Sequence, residues 1–199
     1  MTTPDDITPC NQACTTRLSD SALWSLSAEY YQHAGLAAWE SGTVPYYITS
    51  NSFIAHTYAR MICETVEDMV VQGSVDVNAP VYVIELGAGL GLFGYLCARA
   101  LQRFQDKEYA QSTWKVTYVL TDLHEESVHH WAEHPKFEDL KGRNLVDFAA
   151  LDANEAINSI HLLHRDVIID NQKKKATNPL VLVANYVFDS IPMDAFRVS

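Results

Sequence analysis

An α/β fold built on a parallel sheet is what this sequence predicts, on three observations. From Pro80 onward, short apolar runs alternate with stretches of helical periodicity. The run Val81–Leu86 leads into a glycine-rich turn, Gly87-Ala88-Gly89-Leu90-Gly91, which opens a helical pattern over about Leu90–Phe104. Acidic residues then mark the ends of successive apolar runs: Glu85, Asp122 and Asp152. Strands linked by helices in this way form parallel sheets with right-handed crossovers.

Each element has its own warrant. Residues 1–19 are polar and carry two prolines, which predicts a disordered tail. Leu23, Leu26, Tyr30, Ala34, Ala37 and Ala38 recur at helical spacing, predicting an amphipathic helix broken near Gly35 or Gly42. Asn51 or Ser50 can cap a second helix reaching about Val71, with Phe53, Ile54, Tyr58, Met61, Ile62 and Met69 on its buried side and Gly73 as the stop. Residues 20–78 therefore read as an N-terminal helical cap and 79–199 as the α/β unit. Within the latter, the second strand is about Lys115–Thr121 and a helix of about Glu125–His134 stops at Pro135. The third strand is about Asp147–Leu151. Residues 154–178 stay ambiguous, because Ile157, Ile160 and Leu163 suggest a helix while Val167-Ile168-Ile169 suggests a strand. Pro179–Ala184 is apolar at nearly every position, the pattern of a strand buried on both faces.

Composition narrows the function classes. The chain has 199 residues, 48% of them hydrophobic, enough for one domain with a substantial core. A net charge of −11 argues against nucleic acid, whose phosphates are bound by cationic surface. Lys173–Lys175 reads as a solvated loop. No apolar run approaches the roughly 20 residues of a membrane span, and the N-terminus lacks signal-peptide features, so a cytoplasmic protein is expected. Cys63 and Cys97 read as small core residues; Cys10 and Cys14 show no metal spacing. His124, His129, His130 and His134 crowd one segment without the order of a zinc-binding helix, and read as a solvated face with no metal.

Two cofactors compete for the glycine turn. Gly89-Leu90-Gly91-Leu92-Phe93-Gly94 fits the dinucleotide pattern G-x-G-x-x-G, and would imply an NAD(P)-dependent oxidoreductase. Glu85-Leu86-Gly87-Ala88-Gly89-Leu90-Gly91 fits E-x-G-x-G-x-G, the first motif of methyltransferases that use S-adenosyl-L-methionine. A carboxylate beside a pyrophosphate is repulsive, whereas S-adenosylmethionine carries an ammonium and a sulfonium that favour Glu85. Asp122, with Leu123 beside it, lies far beyond Gly94 for the dinucleotide acid, but can accept both ribose hydroxyls. Asp152-Ala153 can meet the adenine amino group, although Asp152 is equally a turn former before Asn154.

On these motifs residues 81–197 resemble a class I S-adenosylmethionine-dependent methyltransferase, with a Rossmann-like sheet. The segment Asn185-Tyr186-Val187-Phe188-Asp189-Ser190-Ile191-Pro192 is similar to the Asn-Glu-x-x-Asp-Ala-x-Pro segment of the family that includes the mitochondrial complex I assembly arginine methyltransferase. Tyr47-Ile48-Thr49-Ser50 is similar to that family's Phe-Ile-Thr-Ser loop. Tyr186 stands where the family has Glu, a natural partner for a guanidinium, so the acceptor, small molecule or protein, stays unassigned. The resemblance implies Glu85, Gly87, Ala88, Gly89, Gly91, Asp122, Leu123, Asp152, Ala153 and Asn185 at the cofactor. It also implies Asn185 as a carbonyl that orients the acceptor and Asp189 as its proton acceptor, Asp189 being alternatively the cap of a helix at Ile191-Pro192. Tyr46, Tyr47 and Asn51 read either as a lid or as loop packing. The family's sheet runs 3-2-1-4-5-7-6. Here the chain ends after the fourth strand, so a continuation or a partner segment is expected to complete the sheet, with the cofactor held weakly or not at all and no substrate turned over without it. A non-catalytic assembly module that keeps the pocket is the alternative from another class.

Overall fold

The computed structural model describes residues 17–35, 37–42, 44–155, 158–170 and 178–196. Cys10, Cys14, Ile157, Lys173–Lys175 and most of the predicted tail lie outside them. The strands are β1 (Pro80–Glu85), β2 (Lys115–Asp122), β3 (Val146–Ala150), β4 (Ser159–Leu162), β5 (Val167–Asp170) and β6 (Val181–Val183). The helices are α1 (Ala22–Ala34), α2 (Ala37–Glu40), α3 (Ser52–Val71), α4 (Leu92–Lys107), α5 (Glu125–Glu133) and α6 (Glu138–Gly142).

The result is a Rossmann-like α/β fold. Four parallel strands lie in the order β3-β2-β1-β6. The chain steps outward from β1 to β2 and β3, then returns to place β6 on the other side of β1. Strand order reverses there, and in open parallel sheets a crevice forms outside the carboxyl ends of the strands at such a point. Register aligns the tips: Glu85 pairs with Leu120 and Val183, and Asp122 with Ala150.

One sheet face is packed by helices. Val81, Val83, Val116, Tyr118, Leu120, Val146 and Phe148 meet α3, α4 and α5 in one core. The opposite face, with Ile84, Val119 and Ala149, is covered by Ile160, Leu162 and Ile169. These three belong to an antiparallel β4–β5 hairpin, which is what the ambiguous 154–178 stretch contains among its described residues. Ile160 and Leu162 are buried while Ser159 and His161 are exposed, a period of two.

Three expectations are corrected. The buried face of α3 is Ala55, Ala59, Ile62, Cys63 and Val66, whereas Phe53 and Met61 point to solvent. Small residues let α3 approach α4 closely, so the contact face is the small one rather than the most hydropathic. The face of α1 that carries Leu23, Leu26 and Tyr30 is exposed, and α1 has no fully buried residue. β6 is also not covered on both sides: Leu182 shares a face with Ile84 but is 59% exposed, because the hairpin does not reach it. No helix among the described residues is long and apolar enough to cross a membrane.

Candidate functional site

A cleft of about 530 Å³ opens at the carboxyl ends of the strands. Its floor is the turn between β1 and α4. Gly87, Gly89 and Gly91 adopt φ of 61°, 55° and 69°, a left-handed region that other residues enter only with strain. The turn is fastened from inside. Ala88 N–H donates to Thr121 O at 2.8 Å, Gly91 N–H to Ala88 O at 2.9 Å, and Gly89 N–H to Asp122 Oδ2 at 3.1 Å.

Glu85, Gly87, Ala88, Gly89, Asp122, Leu123, Asp152, Ala153, Asn185 and Asp189 all line this cleft. Gly91 does not. It is buried beneath the turn, where a Cβ would come within 2.9 Å of the Trp131 ring. Its glycine is required by packing and by its left-handed N-cap position on α4.

Glu85 ends β1 with its carboxyl buried, and Oε2 has no hydrogen-bond partner. Gly94 makes the placement possible, since a Cβ there would sit 2.5 Å from Oε2. Burial pushes the Glu85 pKa up to about 8; the nearby Tyr118 hydroxyl opposes the rise without forming a well-aligned bond, and Asp122 adds to it. Burial also raises Asp122, against the pull of backbone N–H groups from His124 and Gly89. Asp122 Oδ1 accepts from His124 N–H at 3.2 Å, so both oxygens are tied to backbone, each with a lone pair left over.

The remaining residues divide. Asp152 Oδ1 accepts from Asn154 N–H at 2.8 Å, the turn-forming arrangement foreseen as its alternative, and it still lines the cleft. Asn185 accepts the Tyr58 hydroxyl on Oδ1 at 3.1 Å, leaving Nδ2 buried and unpartnered. It therefore presents a donor where a carbonyl was expected. Asp189 caps no helix: the chain makes a turn closed by Ser190 N–H to Val187 O and stays irregular through Phe196. Tyr46 lines the cleft, while Tyr47 is 69% exposed. Asn51 caps α3 through Phe53 N–H and Ile54 N–H.

Three cleft residues, Tyr31, Trp39 and Tyr186, were not foreseen as such, and Tyr58, which bonds Asn185 without lining the cleft, was placed only on a buried helix face. Tyr31 and Trp39 stack at 5.5 Å over the cleft mouth. Tyr186 is 58% exposed on the rim and holds φ at 55°, a strained conformation for a bulky residue. His130 and His134 rings lie 5.8 Å apart, and among the described residues no group of three or more His, Cys, Asp or Glu is placed to hold a metal.

Against known proteins, no family model matches this chain, and no curated protein matches it significantly. The site therefore rests on its own geometry.

Proposed function

We propose that this chain carries the cofactor side of an S-adenosylmethionine-dependent methyltransferase. The observation that carries the reading is the Glu85 carboxyl, whose Oε2 is buried without a partner at the floor of the strand-tip cleft. An uncompensated buried acid is costly unless a cation meets it. Asp122, Asp152 and Asp189 line the same cleft, and no Lys or Arg does so among the described residues. Such a lining suits a positively charged ligand and repels a pyrophosphate. The turn also offers few free N–H groups to a phosphate, because those of Ala88, Gly89 and Gly91 are already spent inside the protein.

The cofactor supplies an electrophilic methyl group on a sulfonium. Glu85 holds the ammonium, Asp122 the ribose hydroxyls, and Asp152 with Ala153 the adenine edge. Asn185, anchored by Tyr58, donates Nδ2 to an oxygen in the cleft. Asp189, at the mouth, takes the acceptor's proton or holds its charge. Aligning the partners and excluding water is the main work in such a displacement. We expect a further strand to pair along the outer edge of β6, which among the described residues is paired only with β1.

Thermal melts with S-adenosylhomocysteine, NAD and ATP test the reading. S-adenosylhomocysteine should raise the midpoint in proportion to ligand excess. Asp122→Ala should remove the shift. A rise with NAD and none with S-adenosylhomocysteine would select the oxidoreductase.

A further inference from the structure

The aromatic pair at the cleft mouth has no part in the chemistry above, yet it sits on the turn itself. A Cβ built on Gly89 would meet Trp39 Cζ2 at 3.0 Å, Cε2 at 3.1 Å and Nε1 at 3.4 Å. The indole thus lies in contact with the backbone of the middle glycine, in the same cleft as Glu85 and Asp122. Its position is set from behind by Tyr31, whose ring stacks on it with planes 28° apart. Tyr31 in turn faces the segment after β6: burial, then the Asp189 charge, raise its pKa, and the Ser190 side chain opposes the rise.

The element that carries Trp39 is bounded by two glycines. The short helix α2 lies between Gly35, with φ 50° and ψ −140°, and Gly42, with φ 76°. Among the described residues nothing stands within 4 Å of the Cβ position at either glycine, and both conformations are readily adopted by glycine alone. On α2 itself Ala38 is the buried anchor, at 1% exposure.

We propose that Trp39 is a ligand-contacting residue, the roof of the cofactor cleft, beneath which the ligand lies against the glycine turn. The inference rests on the reading of the cleft as a cofactor site. An indole face opposite carboxylates suits a planar base or a cationic centre, through stacking or cation–π attraction. Of the four tryptophans, Trp39 is the one that lines this cleft, so its emission should report occupancy.

The test is a thermal-melt titration of wild type, W39F and W39A with S-adenosylhomocysteine carried into the millimolar range, tryptophan emission being recorded in parallel. Wild-type emission should change with saturation. W39F should bind within about threefold of wild type and lose that change, because a ring remains but the indole is gone. W39A should bind about tenfold more weakly. Wild-type affinity in W39A, or a full emission change in W39F, would overturn the assignment. Absence of any midpoint shift in the wild type would overturn the cofactor reading first and this inference with it, and that result is seen before any substitution is made.

Discussion

Replacing Glu85 by Gln should stabilise the protein at neutral pH and at the same time abolish its response to S-adenosylhomocysteine. The carboxyl is only 4% exposed, and burial moves its pKa from 4.5 to about 8. The native chain therefore keeps a proton that the unfolded chain has released. A group whose folded pKa is raised contributes its full stability below pH 4.5, and that stability is lost as pH climbs through 8. At 1.36 kcal/mol per unit, the loss is about 3 kcal/mol at pH 7 and about 5 kcal/mol by pH 9. Gln has nearly the same shape and does not titrate, so the variant is spared this loss. Urea unfolding of both proteins from pH 5 to pH 9 reads the effect directly, because other groups cancel in the difference. The gap should widen with pH and correspond to roughly 6–12 °C of melting temperature at pH 7. A gap that stays constant across that range would show that Glu85 is not the buried, proton-holding group described here.

Other substitutions probe the surroundings of the same carboxyl and a site well away from it. Gly94→Ala should destabilise by about 1–2 kcal/mol in urea unfolding, because its Cβ would meet Glu85 Oε2 at 2.5 Å and Leu120 Cγ at 2.6 Å, outweighing the helix preference of Ala. Tyr58→Phe should cost about 1 kcal/mol by removing the donor to Asn185 Oδ1, with a second effect on ligand affinity in thermal melts as the amide loses its anchor. Arg165→Ala should cost about 3 kcal/mol and leave ligand affinity unchanged. Arg165 Nε donates at 2.8 Å to Asp147, which is fully buried, and neither residue lines the cleft.

The strand–turn–helix at 80–107 was legible because its signals are local. An apolar run, glycines at φ near 60° and a helical period lie within a few residues of one another. The β2 and β3 tips were legible for the same reason. The hairpin of β4 and β5 was not, since Ile160 and Leu163 fit a helical spacing as well as Ile160 and Leu162 fit a strand. The choice is made by the sheet face that Ile160 and Leu162 cover, which no window of sequence contains. The α3 face failed on a different ground: hydropathy ranks Phe53 and Met61 above Ala55 and Ala59, but two helices in close contact select for small side chains.

The unforeseen part of the site shares one cause. Tyr58 reaches Asn185 across 127 positions, and Trp39 reaches Gly89 across the whole of α3 and β1. Neither carries a motif, because each acts on a residue that does. Glu85 shows how far the two levels are connected. Its position at the end of an apolar run announces a strand-tip acid, but its effect comes from Gly94, which lets α4 close over it, and from Tyr118, whose hydroxyl is itself left without an aligned partner. Among the described residues five buried side-chain atoms are left unpaired: Glu85 Oε2, Tyr118 Oη, Trp131 Nε1, Arg165 Nη2 and Asn185 Nδ2. Well-packed proteins hold few such atoms. Two of the five, on Glu85 and Asn185, belong to residues that line the cleft, where a ligand with an ammonium and an oxygen acceptor would complete them.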